Sequence, residues 1–267
     1  MLKDITLGQY FPGNTVAHKL DPRTKILLVV FYIVALFCAQ GVLSHALVAL
    51  TLFLCVRVSR VGVRALVRGL KPVVFIILFT AVLNLFFTPG EALVSVGFLR
   101  ISDAGLHNAV RMVLRIMLLI MGTFLLTYTT SPISLTDGLE TMLNWMKKFH
   151  VPVHELAMMM SIALRFIPTL IEETDKIMSA QKARGADFES GNLFQKARAL
   201  IPVLVPLFIS AFRRADELAT AMECRCYHGG EGRTKLHVLK YERRDQAALL
   251  LGVLVTAGAV ALGHFGL

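Results

Sequence analysis

Hydrophobic positions along this chain fall into long runs without formal charge, separated by short basic segments. The longest run, 26–56, would form a helix about 46 Å long, whereas a membrane hydrocarbon core is about 30 Å thick. The pair Gln40-Gly41 within that run favours a turn, so the run predicts two spans. The whole pattern predicts an all-α integral membrane protein with about five transmembrane helices, near 23–40, 42–59, 72–90, 116–136 and 247–267.

Composition supports this interpretation and excludes two other classes. Of the 267 residues, 55% are hydrophobic and 17% are charged, whereas soluble domains average about 25% charged residues. A chain this apolar can bury a core, which excludes a disordered protein. Its four cysteines are too few for a disulfide scaffold.

The formal net charge of +10 has two common explanations, nucleic-acid binding and membrane topology. A nucleic-acid-binding protein clusters its basic residues on a soluble domain, whereas here they lie between apolar runs. Lysines and arginines number 4 in 1–25, 5 in 57–71 and 16 in 137–245, against 0 in 40–42, 1 in 88–108 and 0 after Gly263. By the positive-inside rule, this alternation predicts a cytoplasmic N-terminus and an external C-terminus.

The chain therefore divides into three predicted regions. They are an N-terminal tail with four transmembrane helices (1–136), a cytoplasmic region (137–245) and a C-terminal transmembrane helix (246–267). The cytoplasmic region is too long for a simple loop and too apolar for a separate soluble domain. Its segment 151–167 is apolar enough to lie in the interface or enter the bilayer, which would raise the number of spans to six or seven.

Prolines and glycines divide the cytoplasmic region into predicted helices. One helix is expected over 169–184, directly after a proline. A second is expected from Pro202 or Pro206 to about Tyr227, where the glycine pair 229–230 would stop it.

Both predicted helices end in an arginine beside small residues. Gly185 follows Arg184 as a C-terminal glycine, and Arg225 lies near the end of the second helix. The ordinary explanation is that the helix dipole stabilises a C-terminal arginine by about 0.3–1 kcal/mol. Two such ends on consecutive helices also suit a docking role, in which each arginine enters an acidic groove of one member of a paired partner.

At these residues the chain resembles the T component, the transmembrane coupling subunit, of energy-coupling-factor (ECF) transporters. The N-terminal part of the resemblance is carried by Gly8-Gln9-Tyr10-Phe11-Pro12-Gly13 and by His18-Lys19-Leu20-Asp21-Pro22-Arg23-Thr24-Lys25. Leu164-Arg165-Phe166-Ile167-Pro168 is similar to the start of the family's coupling helices. Ala183-Arg184-Gly185 matches the first of two Ala-Arg-Gly motifs, and Cys224-Arg225-Cys226 keeps only the arginine of the second.

The resemblance implies a non-catalytic coupling subunit in a prokaryotic plasma membrane. Two ABC-type ATPase subunits are expected as partners, together with interchangeable membrane-embedded S components that bind a vitamin or another micronutrient. The two long helices would cross on the cytoplasmic side, and each motif would dock on one ATPase. No cofactor is expected in this chain, since ATP and magnesium would be bound by the partner ATPases.

Several other residues have both a structural and a functional interpretation. Arg111 and Arg115 either snorkel to the membrane interface or make a polar contact inside a complex. Asn84 is expected to form a hydrogen bond between helices. The histidines 150 and 154 are interpreted as structural because a proline lies between them and the zinc-protease motif is absent.

Three further patterns argue against a metal site, a nucleotide site and catalysis in this chain. Cys224 and Cys226, with His228 nearby, provide fewer than the four ligands of a zinc site. The segment 229–235 resembles a phosphate-binding loop but lacks its spacing and a preceding strand. No set of residues typical of a catalytic site is evident.

The alternative function is a stand-alone secondary transporter or channel. Such a protein would need a polar site at the membrane midplane.

Overall fold

The computed structural model describes residues 10–89, 92–96, 99–188, 192–229 and 238–264. Residue contacts divide the chain into two compact units. The described residues of the bundle unit lie within Gly8–Gly138 and Leu239–Leu267, and those of the paired-helix unit lie within Leu139–Val238.

Nearly all of the described chain is helical. In chain order the elements are α1 (Val16–Lys19), α2 (Pro22–Cys38), α3 (Val42–Ser59), α4 (Val63–Leu70), a 3-10 turn (Lys71–Val73), α5 (Val74–Phe87), strands β1 (Ala92–Val96) and β2 (Leu99–Ser102), α6 (Asp103–Thr129), α7 (Pro132–Leu143), a second 3-10 segment (Asn144–Phe149), α8 (Val153–Ala183), α9 (Leu193–Cys224) and α10 (Arg243–His264).

Six helices within the described residues are long and apolar enough to cross a membrane. They are α3, the continuous rod Val63–Phe87 formed by α4 and α5, α6, α8, α9 and α10. Helix α2, with 17 residues, is at the lower limit of length for a span. Each of the five predicted spans overlaps a helix, and the all-α membrane class is confirmed.

The fourth span lies earlier in the chain than predicted. The apolar run indicated 116–136, but α6 extends over Asp103–Thr129. It begins there because the Ser102 hydroxyl accepts a hydrogen bond from the Gly105 N–H at 3.0 Å, which caps the first turn. Hydropathy alone missed this start because the first turns of α6 are polar.

A small antiparallel sheet lies between α5 and α6, where the sequence predicted only a connection. Strand β1 pairs with β2, and the register shifts between Ala92 and Val94. Strands of four and five residues are too short for a clear alternation of apolar and polar positions, so they left no reliable signal in the sequence.

The core of the bundle unit depends on close helix contacts. Its buried hydrophobic residues include Ala35, Leu36, Val48, Leu66, Leu118, Tyr128 and Ala259. A Cβ atom on Gly122 would lie 2.3 Å from the Tyr32 ring, and one on Gly263 would lie 2.5 Å from the carbonyl oxygen of Cys38. Small residues at these crossings therefore allow the neighbouring helices to approach.

Prolines do not break the two long helices of the paired-helix unit, contrary to the prediction. Helix α8 begins at Val153 and contains Pro168, and α9 begins at Leu193 and contains Pro202 and Pro206. A proline inside a helix costs about 3 kcal/mol because it removes a backbone hydrogen bond and crowds the preceding turn. Contacts of α8 with α9, from Gln181 to Pro202 and from Glu173 to Arg214, stabilise the helix that continues beyond Pro168.

Candidate coupling site at the ends of the paired helices

Helix α8 ends in a Schellman motif with Arg184 at the C-cap. Gly185, with φ of 87°, donates its N–H to the Lys182 carbonyl oxygen at 3.0 Å. Ala186 donates its N–H to the Gln181 carbonyl oxygen at 3.0 Å. These two bonds define the motif, and Gly185 is the C-terminal glycine that the sequence predicted.

Helix α9 ends in the same motif, with Arg225 at the C-cap. Cys226, with φ of 56°, donates its N–H to the Glu223 carbonyl oxygen at 2.8 Å. Tyr227 donates its N–H to the Met222 carbonyl oxygen at 3.0 Å. The degenerate second motif therefore keeps the backbone geometry of the first.

The predicted end of α9 was wrong by about one turn. The glycine pair 229–230 was expected to stop the helix after Tyr227, but the helix ends at Cys224. The chain leaves the helix because Cys226 adopts the left-handed conformation, which costs an L-residue about 1–2 kcal/mol. This cost is invisible in the sequence, where a cysteine carries no signal for a helix end.

The side chains of both motifs face outward. All six motif residues are exposed: Ala183, Arg184, Gly185, Cys224, Arg225 and Cys226. Among the described residues, neither guanidinium group has a hydrogen-bond or ion-pair partner. Two rigid backbone caps thus present two unpaired cations.

The two arginines lie at opposite ends of an antiparallel helix pair. The Gln181 side chain, near the end of α8, donates to the Pro202 carbonyl oxygen at 3.3 Å. Further along, Glu173 contacts Arg214, so residue numbers rise on one helix as they fall on the other. From the level of Pro202 to Arg225 the separation along the pair is about 35 Å, at 1.5 Å per residue.

A partly buried polar contact joins the middle of the two helices. Arg214 donates to a carboxylate oxygen of Glu173 at 2.9 Å, and the Ser210 hydroxyl donates to the other oxygen. Sequence reasoning did not connect these residues with one another. Each helix carries several charges of both signs, so the sequence does not single out this pair, and only the packing of α8 on α9 brings Glu173 to Arg214.

A cleft of about 510 Å³ lies beside the second motif. Arg225 and Cys226 line it together with Met158 of α8 and Leu218 and Met222 of α9. Its apolar walls lie on both helices, so a group bound there would contact α8 and the tip of α9 at once.

The N-terminal signature forms a buried polar cluster in the bundle unit. The Asp21 carboxylate accepts from the Arg23 guanidinium at 2.8 Å, and the Asp21 N–H donates to the Asp245 carboxylate at 2.9 Å. The Lys25 ammonium donates to the Thr129 carbonyl oxygen at 2.9 Å. The signature therefore ties the start of α2 to the end of α6 and the start of α10.

Arg111 and Arg115 make polar contacts within the chain. Arg111 donates to the Gln40 carbonyl oxygen at 3.2 Å, and Arg115 donates to the Ala39 carbonyl oxygen at 2.9 Å. Both therefore satisfy carbonyl groups at the end of α2, where the helix dipole also favours cations. The predicted interhelical bond of Asn84 was wrong, because its amide donates to the Thr80 carbonyl oxygen of its own helix at 2.9 Å.

The two histidines that were interpreted as structural make local contacts. His154 lies 3.0 Å from the Glu140 carboxylate, in keeping with a structural role, and His150 caps the 3-10 segment with φ of 59°. Within the described ranges, no group of three or more His, Cys, Asp or Glu side chains is arranged to hold a metal ion. Residues 8–9 of the N-terminal signature and 230–235 of the glycine-rich segment lie outside the described residues.

Taken together, the helices and exposed arginines define a multi-pass, all-α membrane protein with a long helix pair that presents two cationic tips. Residues 13–236 match the family model of the cobalt transport protein CbiQ. The chain belongs to this family, in the branch of the energy-coupling factor transporter transmembrane proteins.

Three curated relatives show how far the similarity extends, each with the name energy-coupling factor transporter transmembrane protein EcfT. The protein of Thermosediminibacter oceani is 53% identical over 97% of this chain and 98% of its own length. The protein of Clostridium kluyveri is 55% identical over 96% of this chain and 95% of its own. The protein of Bacillus subtilis is 46% identical over 96% of this chain and 97% of its own.

Proposed function

We propose that this chain couples ATP hydrolysis in two ABC-type ATPase subunits to a membrane-embedded S component that binds a vitamin or another micronutrient. The chain itself is non-catalytic, and ATP and magnesium are bound by the ATPases. Membership of the energy-coupling factor family supports this role. It also favours coupling over the alternative of a stand-alone secondary transporter or channel.

The observation that carries the proposal is the matched pair of helix ends. Arg184 and Arg225 hold the same C-cap position of the same motif, at opposite ends of one antiparallel pair. Two ATPase subunits of one kind would present two equivalent acidic grooves, and two equivalent plugs fit them. Arginine suits this contact because its planar fork binds a carboxylate through two bonds and stays charged.

Coupling follows from the rigidity of the helix pair. Closure of the ATPases on ATP changes the separation of their grooves and displaces the two tips. The contact of Glu173 with Arg214 and Ser210 holds the middle of the pair, so a displacement at one tip moves both helices. The bilayer-facing helices then change their contacts with the S component. The difference in these contacts between the two nucleotide states supplies the coupling free energy.

The proposed topology places the coupling tips with the ATPases. The N-terminus and 137–245 face the cytoplasm of a prokaryotic cell, in accordance with the sixteen lysines and arginines of that region. In this arrangement the paired helices lie along the cytoplasmic face of the plasma membrane.

Charge reversal at both tips tests the proposal. The variant R184E/R225E should lower ATP-dependent uptake in proteoliposomes by more than about tenfold, because each glutamate would face an acidic groove. The matched control K176E/R213E reverses two exposed cations in the middle of the helix pair and should retain uptake. Normal uptake by the tip variant, with wild-type ATPase content, would refute the coupling mechanism.

Co-purification separates the proposal from its alternative. A tagged chain should retain two ATPase subunits and a small hydrophobic S component, whereas a secondary transporter should purify alone. The tip variant should lose the ATPases and keep the S component.

A further inference from the structure

The bundle unit contains a basic cleft whose lining includes neither Arg184 nor Arg225. The cleft has a volume of about 840 Å³ and lies between the segment 11–18 and the junction of α3 with α4. Among the described residues, its lining contains Arg60, Arg64 and Arg68 and no aspartate or glutamate. A cleft with three guanidinium groups and no carboxylate has a strongly positive potential that favours an anion.

The three arginines are free to bind a ligand. All three are exposed, and none has an ion-pair partner among the described residues. Arg64 and Arg68 are one turn apart on α4, opposite the buried face formed by Leu66 and Leu70. The amphipathic packing of α4 thus directs both guanidinium groups away from the bundle core.

The backbone between α3 and α4 also favours an anion in the cleft. Arg60 is the C-cap of α3 and has a left-handed φ of 54°, a conformation that non-glycine residues rarely adopt. Gly62, the N-cap of α4, lines the cleft and has no side chain with which to cap that helix, so N–H groups of the first turn are left without a side-chain partner. Helix N-termini of this kind favour phosphate.

The position of the cleft identifies the source of the anion. It lies where the candidate span Val42–Ser59 ends and Val63–Phe87 begins, which is the depth of lipid headgroups. Exposed valines flank the arginines on both sides of the junction, with Val58 52%, Val63 59% and Val67 54% exposed. Apolar side chains beside a cationic cleft match the acyl chains and headgroup of one anionic phospholipid.

We propose that the cleft formed by Arg60, Arg64 and Arg68 binds the headgroup of an anionic phospholipid. The phosphate oxygens accept hydrogen bonds from the guanidinium groups, and the acyl chains lie against the exposed valines. The bound lipid neutralises three like charges held close together and stabilises the junction of the two spans.

Lipid binding to the purified chain tests this site. Native mass spectrometry with phosphatidylglycerol and phosphatidylcholine measures the apparent Kd for each. The wild type should prefer phosphatidylglycerol, and R64Q/R68Q should weaken its binding by more than about tenfold, since each lost charge-assisted hydrogen bond contributes to affinity.

The control variant R57Q/K71Q removes two exposed cations of the same connection that do not line the cleft. It should change the Kd for phosphatidylglycerol by less than about threefold. The variant R64K/R68K keeps the charge and should bind more tightly than R64Q/R68Q, which keeps the test informative if the glutamine variant folds poorly.

Two results would overturn the proposal. Equal weakening in R64Q/R68Q and R57Q/K71Q would indicate a diffuse surface attraction without a site. Displacement of phosphatidylglycerol by millimolar inorganic phosphate or glycerol phosphate would indicate a site for a soluble anion.

Discussion

Gly185 and Cys226 occupy the same left-handed position of the same helix-ending motif, with φ of 87° and 56°. Each follows a C-cap arginine, and each donates its N–H to a carbonyl oxygen three residues earlier. One position is filled by the residue that adopts this conformation freely and the other by a residue with a Cβ. The end of α9 therefore has the same backbone geometry as the end of α8, although it lacks the Ala-Arg-Gly sequence.

Substitution at these two positions should have opposite effects. C226G should stabilise the chain by about 1 kcal/mol and G185A should destabilise it by a similar amount, because a Cβ is unfavourable at positive φ. Thermal unfolding of the purified chain measures both. Gly258 lies within α10, where a Cβ would meet only Leu47 at 3.5 Å, and provides the control G258A, which should not lower the midpoint; an equal loss in G258A and G185A would contradict the argument.

The contact between Glu173 and Arg214 should behave as a coupled pair. E173A and R214A should each destabilise the paired helices by about 1–3 kcal/mol, since each leaves a partly buried group without its partner. The double variant should cost less than the sum of the two, as measured by a double-mutant cycle on thermal or denaturant unfolding.

Exposed Asp216 of the same helix supplies the control for that cycle. D216N should change stability by no more than about 0.5 kcal/mol. Strict additivity of E173A and R214A would show that the ion pair contributes nothing to the rigidity on which coupling depends.

Close packing at Gly263 should make that position intolerant of a methyl group. A Cβ there would lie 2.5 Å from the carbonyl oxygen of Cys38, and backbone cannot move aside as a flexible side chain can. G263A should therefore destabilise the bundle by about 1–3 kcal/mol. On the same helix, a Cβ at Gly258 would meet only Leu47 at 3.5 Å, so G258A should be nearly neutral; equal unfolding midpoints for the two variants would be inconsistent with this packing.

Asp245 should be the most sensitive member of the N-terminal cluster. It is 2% exposed, and its two carboxylate oxygens each accept a backbone N–H at 2.9 Å, from Asp21 and Glu242. In D245N an amide group would face one of these donors, leaving it buried and unsatisfied at a cost of about 1–3 kcal/mol. D103N, at an exposed site, is the control; if both variants unfolded at the wild-type temperature, the cluster would have no stabilising role.

Hydropathy and charge were sufficient to predict the membrane class and the approximate position of five helices. The hydropathy pattern is a strong indicator because exposing apolar runs of this length to water costs much free energy. Each helix also forms its own backbone hydrogen bonds, as a membrane requires. The same reasoning failed at Pro168, Pro202 and Pro206. There the local preference against helix was overcome by contacts between α8 and α9 that no local pattern contains.

The chain's own sequence determined its lipid-facing helices, its basic connections and the two arginines that stand out at helix ends, since these depend on residue type and local spacing. Tertiary structure alone decided that α9 ends at Cys224, that Glu173 meets Arg214, and that Asp245 joins Asp21 across more than two hundred residues. Those outcomes depend on which surfaces pack together and on the hydrogen bonds that buried polar groups must find. Such requirements act between distant segments and leave no periodic trace along the chain.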